Sequence, residues 1–398
     1  MRPPVRTRPA VLLALLCLVL AACSGSPGTT AESSSPSSST APTGTTDPTT
    51  PPADPVAQQV DTALAGMDRR AQVAQLFVVG VRLEDLSPGD ALVAGGVGGV
   101  FLAGRSQAAA TDIAAVTGRW TDSAPGPRPW VAVDQEGGQV QSLQGPGFDR
   151  LPPAAEQGQL PPEQLAALAG TLGAQLAAAG INLDLAPVAD VVPAGTEAAN
   201  DPIGAFGRQY GNTTADVVPD VRAVVDGLAA HGVTATLKHF PGLGLVDANT
   251  DEAAGVTDDV TTANSEQVAA FGELARSDAD PFVMLSSATY PRLDPGAPAT
   301  FSRQVVTTLL RGFLGFDGVV ITDDVGAAAA FEDVPPGDRA VRFLEAGGTL
   351  VLTVTEDVYP EMLDAVLARD GADPGFSATV DAAVRTALTA KAEAGLLG

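Results

Sequence analysis

The chain has 398 residues, with 47 Asp or Glu against 22 Lys or Arg, a net charge of −25. So acidic a surface repels a polyphosphate backbone, which excludes nucleic-acid binding as a function class. With two cysteines and two histidines in the whole chain, neither a disulfide framework nor a His/Cys metal cluster is on offer.

Residues 1–22 read as an export signal, with Arg2, Arg6 and Arg8 before an apolar stretch, Val11 to Leu20, too short to span a bilayer in the mature protein. It ends in Leu20, Ala21, Ala22, Cys23, which resembles a bacterial lipobox and marks Cys23 for lipidation. Residues 23–56 are almost entirely Ser, Thr, Pro, Gly and Ala, too poor in apolar groups to offset chain entropy, and read as a disordered tether. The expected placement is therefore extracytoplasmic, lipid-anchored to the outer face of the cell membrane. Cys17 leaves with the signal and Cys23 is acylated, so the folded part, residues 57–398, relies on its core.

Eight short apolar runs follow: Leu76 to Val81, Val97 to Ala103, Trp130 to Val133, Ile181 to Val188, Val233 to Leu237, Phe282 to Leu285, Val319 to Ile321 and Thr349 to Val354. Most are continuous rather than alternating, as in parallel strands buried on both faces. Helical spacing lies between them. Leu165, Leu168, Leu172 and Leu176 recur up to Gly180, and Thr213 with Asp216 forms a capping box ahead of Val217, Val221, Val224, Val225 and Leu228. The pattern predicts a single (β/α)8 barrel, an α/β fold. An open doubly wound sheet is the competing topology, but no GxGxxG loop follows the first run.

In a barrel, chemistry gathers where the strands end. Just past the runs come Asp134 and Glu136, then Asp190, then Lys238 and His239 before a Gly/Pro bend, then Ser286 and Ser287, then Asp323 and Asp324. Taken alone, Lys238 and His239 would fit a snorkelling lysine and a core histidine. Ionisable groups arriving repeatedly at the same end of a packed barrel point to a site instead. Asp323, directly after three β-branched residues and kept ionised by Lys238, suits a nucleophile attacking an anomeric carbon, with Asp324 as a helix cap or solvated neighbour. Trp130 and Phe148 are read as core rather than as stacking platforms.

Four segments carry a more specific likeness. Val133, Asp134, Gln135, Glu136, Gly137, Gly138; Leu185 to Asp190; Lys238, His239, Phe240, Pro241, Gly242; and Gly315 to Asp324 resemble successive motifs of glycoside hydrolase family 3, in particular its single-domain β-N-acetylglucosaminidases. The resemblance implies a retaining mechanism without cofactor, with Asp323 as nucleophile. Asp134, Arg208, Lys238 and His239 would then hold the sugar. It also exposes departures. The histidine that usually serves as acid/base is missing, with Leu243 and the triplet Asn249, Thr250, Asp251 in that loop; Gln139 and Ser142 replace two arginines, and Ser286 or Ser287 a histidine. Asp251 is the substitute acid/base if burial or a nearby carboxylate raises its pKa; otherwise Asp247, Asp251, Glu252, Asp258 and Asp259 form a solvated acidic loop.

The resulting expectation is an exo-acting glycosidase that releases β-linked N-acetylhexosamine from cell-wall fragments. The alternative is a sugar-binding or scaffold lipoprotein with weakened or lost catalysis. Transfer to phosphate is disfavoured by a carboxylate at position 251, and a Schiff-base aldolase by the acids and imidazole around Lys238.

Overall fold

The structure is a computed structural model, and it describes residues 54–397. The expected signal, most of the tether and Cys23 lie outside the described residues. The first helix, Pro55–Ala65, starts inside the expected tether because Asp54 caps it, accepting from the Val56 amide at 3.0 Å, and Pro55 supplies a preset φ at its first position.

Eight parallel strands close on themselves: β1 Phe77–Arg82, β2 Gly99–Ala103, β3 Trp130–Val133, β4 Leu183–Asp184, β5 Thr236–Phe240, β6 Phe282–Leu285, β7 Val320–Thr322 and β8 Val351–Thr353. Register pairs Phe77 with Val351, Val78 with Gly99, Gly99 with Trp130, Ala132 with Leu183, Thr236 with Phe282 and Val283 with Val320. Two narrower seams complete the ring, Leu183 with Thr234 between β4 and β5, and Ile321 with Leu350 between β7 and β8. Each strand is followed by a helix on the outside, from Ser87–Ala94 after β1 to Tyr359–Ala372 after β8, with Pro374–Glu393 added last. This is the (β/α)8 barrel that the run-and-helix alternation predicts.

Six of the eight strands shift at their ends relative to the apolar runs, and two of these shifts bear on the site. The fourth run shrinks to Leu183–Asp184, since Pro187 has no amide to give to a ladder. The fifth strand starts later than its apolar run and extends past Leu237 through Lys238 and His239 to Phe240, so the two residues expected at its carboxyl end are strand residues, and the bend begins one residue later than expected. Inside the ring a side chain at position 80 has no room: a Cβ on Gly80 would lie 2.3 Å from the Val354 carbonyl carbon, so glycine lets β1 and β8 approach.

The expected helices form as read. Leu165, Leu172 and Leu176 are buried on Pro162–Ala178, and Gly180 takes φ +71° at its end. Thr213 caps Thr214–Ala229, accepting from the Asp216 amide at 3.3 Å and donating to its carboxylate at 2.7 Å. Trp130 and Phe148 are both core residues, and Trp130 meets Phe282 edge to face with ring centroids 5.2 Å apart.

Beneath the barrel Lys391 is fully buried, its Nζ donating to Gln75 Oε1 at 2.7 Å. Burial pushes its pKa down to about 7. The folded value lies below the unfolded one, so the charged form is penalised at low pH. Stability recovers as pH rises from about 7 toward the unfolded lysine value. Lys391→Met is therefore expected to stabilise the protein by about 1–4 kcal/mol at pH 6 and much less at pH 10. Thermal melts at the two pH values check this; an unchanged or lower Tm at pH 6 contradicts it.

Candidate active site

The carboxyl ends of the strands surround a cavity of about 290 Å³ whose polar walls are Asp134, Lys238, Asp251, Asp323 and Asp324. Asp134 follows β3, Lys238 lies in β5, and Asp323 and Asp324 follow β7. In an eight-membered ring the third and seventh strands face each other, so Asp134 and Asp323 stand on opposite sides of the mouth.

Lys238 holds the first side. Its Nζ lies 3.0 Å from Asp134 Oδ1 and 2.7 Å from Glu136 Oε1, and these acids keep its pKa raised despite burial. The amine stays protonated, as the sequence reading expects. The expectation that Lys238 keeps Asp323 ionised is corrected, because its short contacts go to the acids after β3.

Glu136 is the residue that sequence reasoning leaves without a role. It is buried, and Arg208 forks onto it, Nε to Oε2 at 2.9 Å and Nη2 to Oε1 at 2.7 Å, while Nη1 donates to the Pro202 carbonyl at 2.8 Å. Burial alone would raise its carboxyl; the charges of Arg208 and then Lys238 overcome this and hold it at about 2. Glu136 thus joins Arg208 to Lys238, and much of the Arg208 fork is committed to protein rather than to the open cavity. Its sequence signals are its place two residues beyond Asp134 and its membership of the Asp-Gln-Glu-Gly-Gly motif, neither of which names its partners.

The folded value of Glu136 is depressed, so its contribution is complete above the unfolded pKa and is lost as pH falls toward 2. Glu136→Gln leaves two buried cations short of a counter-charge, with an expected loss of about 3–5 kcal/mol at pH 7 that narrows toward pH 3. Denaturant unfolding at both pH values tests it, and equal stability at pH 7 would count against the bridge.

His239 is oriented from behind. Asp190, fully buried, lies 2.8 Å from His239 Nδ1 through Oδ2, and its Oδ1 accepts from the amides of His239 at 3.2 Å and Leu243 at 2.7 Å. The carboxylate fixes the imidazole with Nδ1 inward and leaves Nε2 for a ligand. Asp184, also buried, is pushed up to about 8 because burial outweighs the lowering pull of Lys238 and of the Gln135 amide, with Asp134 and Glu136 adding smaller upward pushes.

Across the mouth, Asp323 is half-buried, and its Oδ1 accepts from the Asp324 amide at 2.9 Å. Asp324 is no nucleophile. Its carboxylate collects the amides of Gly326, Ala327, Ala328 and Val354 at 2.8 to 3.0 Å, a clamp that fixes the loop carrying Asp323.

Asp251 joins the same cavity from the loop after β5. The residue is exposed overall, yet it lines the same cavity as Asp323. Lost hydration, then the charge of Asp323, push it up to about 7, against the lowering pull of His239. The acidic loop divides by role: Asp258 is buried and caps a turn through the Val260 and Thr261 amides at 2.8 Å, whereas Asp247, Glu252 and Asp259 face solvent. Ser286 is structural, its Oγ accepting from the Ala288 amide at 3.0 Å. The cavity therefore pairs the half-buried carboxyl of Asp323 with a second carboxyl raised to about 7, facing the side that carries Asp134 and Lys238.

Residues 69–388 match the family described as Glycosyl hydrolase family 3 N terminal domain. A beta-hexosaminidase of Xanthomonas campestris pv. campestris is 35% identical over 306 residues, 74% of this chain and 88% of that protein. The crystal structure of a beta-N-acetylhexosaminidase from Beutenbergia cavernae superposes with a TM-score of 0.78 at 49% identity, covering 82% of this chain and 99% of the other. A family 3 beta-N-acetylglucosaminidase from a Paenibacillus species gives a TM-score of 0.75 at 29% identity, over 83% of this chain and 63% of that one.

Proposed function

The chain belongs to glycosyl hydrolase family 3 and is an O-glycosyl hydrolase for β-linked N-acetylhexosamine, and we propose that it works by retention with Asp323 as nucleophile and Asp251 as acid/base. The observation that carries this reading is the presence of both carboxyls in one cavity, the second raised to about 7 in part by the charge of the first. A retaining glycosidase needs that asymmetry: one carboxylate ionised to attack the anomeric carbon, one carboxylic acid to protonate the departing oxygen.

In the first step Asp323 attacks the anomeric carbon as the glycosidic C–O bond breaks, and the Asp251 proton passes to the leaving oxygen. In the second, ionised Asp251 takes a proton from water, which displaces Asp323 and regenerates both groups. Asp134, Lys238 and His239 are the proposed sugar contacts, with Arg208 positioning Lys238 through Glu136 and Asp190 positioning His239. Asp251 supports turnover over the alternative of a sugar-binding lipoprotein, since it supplies a protonated group in the loop where the usual histidine is missing.

Hydrolysis of 2,4-dinitrophenyl β-N-acetylglucosaminide by the purified protein, with the first-formed anomer followed by NMR, tests the assignment. Initial release of the β-anomer is expected. Absence of turnover, or initial α-anomer, would overturn it.

The proposed setting is the outer face of the cell membrane, with Cys23 lipidated and the substrate drawn from peptidoglycan fragments. The order of an Arg-rich start, an apolar stretch, the Leu-Ala-Ala-Cys box and a Ser/Thr/Pro spacer supports it. Metabolic labelling with a fatty-acid analogue should mark the chain and lose that label in Cys23→Ala; equal incorporation in the variant would sink the anchor.

A further inference from the structure

A second cavity, of about 410 Å³, opens beside the first and shares Asp134 with it. Its other polar walls are Arg82 and Glu84 at the end of β1, Arg105 after β2, and Gln141 and Ser142 from the short hairpin after β3. The volume lies within the range of about 300–1,000 Å³ typical of small-molecule sites. The proposed mechanism makes no use of it.

The geometry of the ring says what part of a substrate reaches it. Asp323 and Asp251 act at the anomeric carbon, at the β7 and β5 side of the mouth. Asp134 stands opposite, after β3. A pyranose carries C4 across the ring from C1, with C6 beside it, so a sugar with C1 at Asp323 turns its C4 and C6 substituents toward Asp134. The second cavity, lying toward β1 and β2 beyond Asp134, begins where those substituents end.

Its chemistry is unlike that of the first cavity, whose walls carry four carboxyls and one lysine. Arg105 donates Nη2 to the Gln139 carbonyl at 2.5 Å and makes no ion pair among the described residues, so its other donors are free. Arg82 has one carboxylate nearby, Glu84 at 3.9 Å, too long for a hydrogen bond, with both side chains more than half exposed. The two guanidinium groups balance Glu84 and Asp134 on the same lining, so in a protein of net charge −25 the cavity is a locally neutral patch with spare guanidinium donors, where an oxyanion meets less repulsion than elsewhere on the surface. Ser142 keeps the floor low and polar.

We infer that this cavity is a subsite for an anionic group, a phosphate ester or a carboxylate, borne at the C6 or C4 end of the sugar that the enzyme releases, with Arg82 and Arg105 as its ligands. The inference rests on the glycosidase reading for the orientation of the sugar. It narrows the substrate class to N-acetylhexosaminides that are modified at the end remote from the scissile bond.

Calorimetric binding of three monosaccharides to the whole protein tests it: N-acetylglucosamine, its 6-phosphate, and 2-acetamido-2-deoxyglucuronic acid, which carries a carboxylate at C6. At low ionic strength at least one anionic sugar is expected to bind about tenfold tighter than the neutral one, an advantage that shrinks with added salt and vanishes in Arg82→Gln/Arg105→Gln. Which of the two gains identifies phosphate or carboxylate. Equal or weaker binding of both anions, or an advantage that survives in the double variant, overturns the subsite. The glycosidase reading fails on different evidence, absence of turnover of the neutral aryl glycoside, and the binding comparison is informative in either case.

Discussion

Asp323→Asn is expected to lower kcat on 2,4-dinitrophenyl β-N-acetylglucosaminide by about 10³-fold or more while leaving the fold intact. The amide has the size of the carboxylate but neither its charge nor its nucleophilicity, and the dinitrophenolate leaving group needs little proton assistance, so the loss reports attack alone. Thermal stability should hardly move, because the loop is fixed by Asp324, whose carboxylate binds four backbone amides, and not by Asp323. A second readout separates loss of the nucleophile from general damage. The charge of Asp323 is one of the causes holding Asp251 near 7, so in the variant the Asp251 carboxyl should titrate closer to the ordinary aspartate range, visible by NMR. Retention of more than a tenth of wild-type kcat would remove Asp323 from the role.

Asp251→Asn should split substrates by leaving group. For a poor leaving group, such as the second sugar of a β-linked disaccharide, kcat/KM is expected to fall about 10²- to 10⁴-fold, the usual worth of general acid help. For the dinitrophenyl glycoside kcat/KM should remain within about tenfold of wild type, because it reports only the steps up to loss of the phenolate. The pH dependence carries the sign. Asp251 must be protonated to act as acid, so kcat/KM for the poor leaving group should decline as pH rises through about 7, and that limb should be missing from the variant. Equal losses on both substrates would mean that Asp251 shapes the cavity rather than delivering a proton.

Parts of this architecture were legible in the residues alone. Trp130–Val133 and Phe282–Leu285 match their apolar runs to the residue, because strands packed on both faces need continuous hydrophobic stretches. Lys238 and His239 are harder to place for the converse reason. Polar residues in a sequence look like the end of a buried strand, but here Asp134 and Glu136 balance the lysine and Asp190 hydrogen-bonds the imidazole, and the strand continues through them. Glu136 was visible only as a motif letter. Its partners lie 72 and 102 positions away at Arg208 and Lys238, and no local pattern encodes that meeting. Asp251 could be singled out by its loop, whereas its proton affinity depends on Asp323, which only folding brings near. Arg82 and Arg105 passed unnoticed, two isolated surface letters until β1 and β2 set them on one wall.

The loop after β5 is stitched to the loop after β7: the amides of Ala329 and Ala330 donate to the carbonyls of Asp251 and Thr250, each at 3.1 Å. Asp251 and the segment that follows Asp323 are thereby tied backbone to backbone, which holds the proposed proton donor and the proposed nucleophile on one joined pair of loops. Such a splice isolates the pair from the rest of the β5 loop: a change of length or sequence elsewhere in that loop is expected to leave the distance between the proposed acid and the proposed nucleophile unaltered.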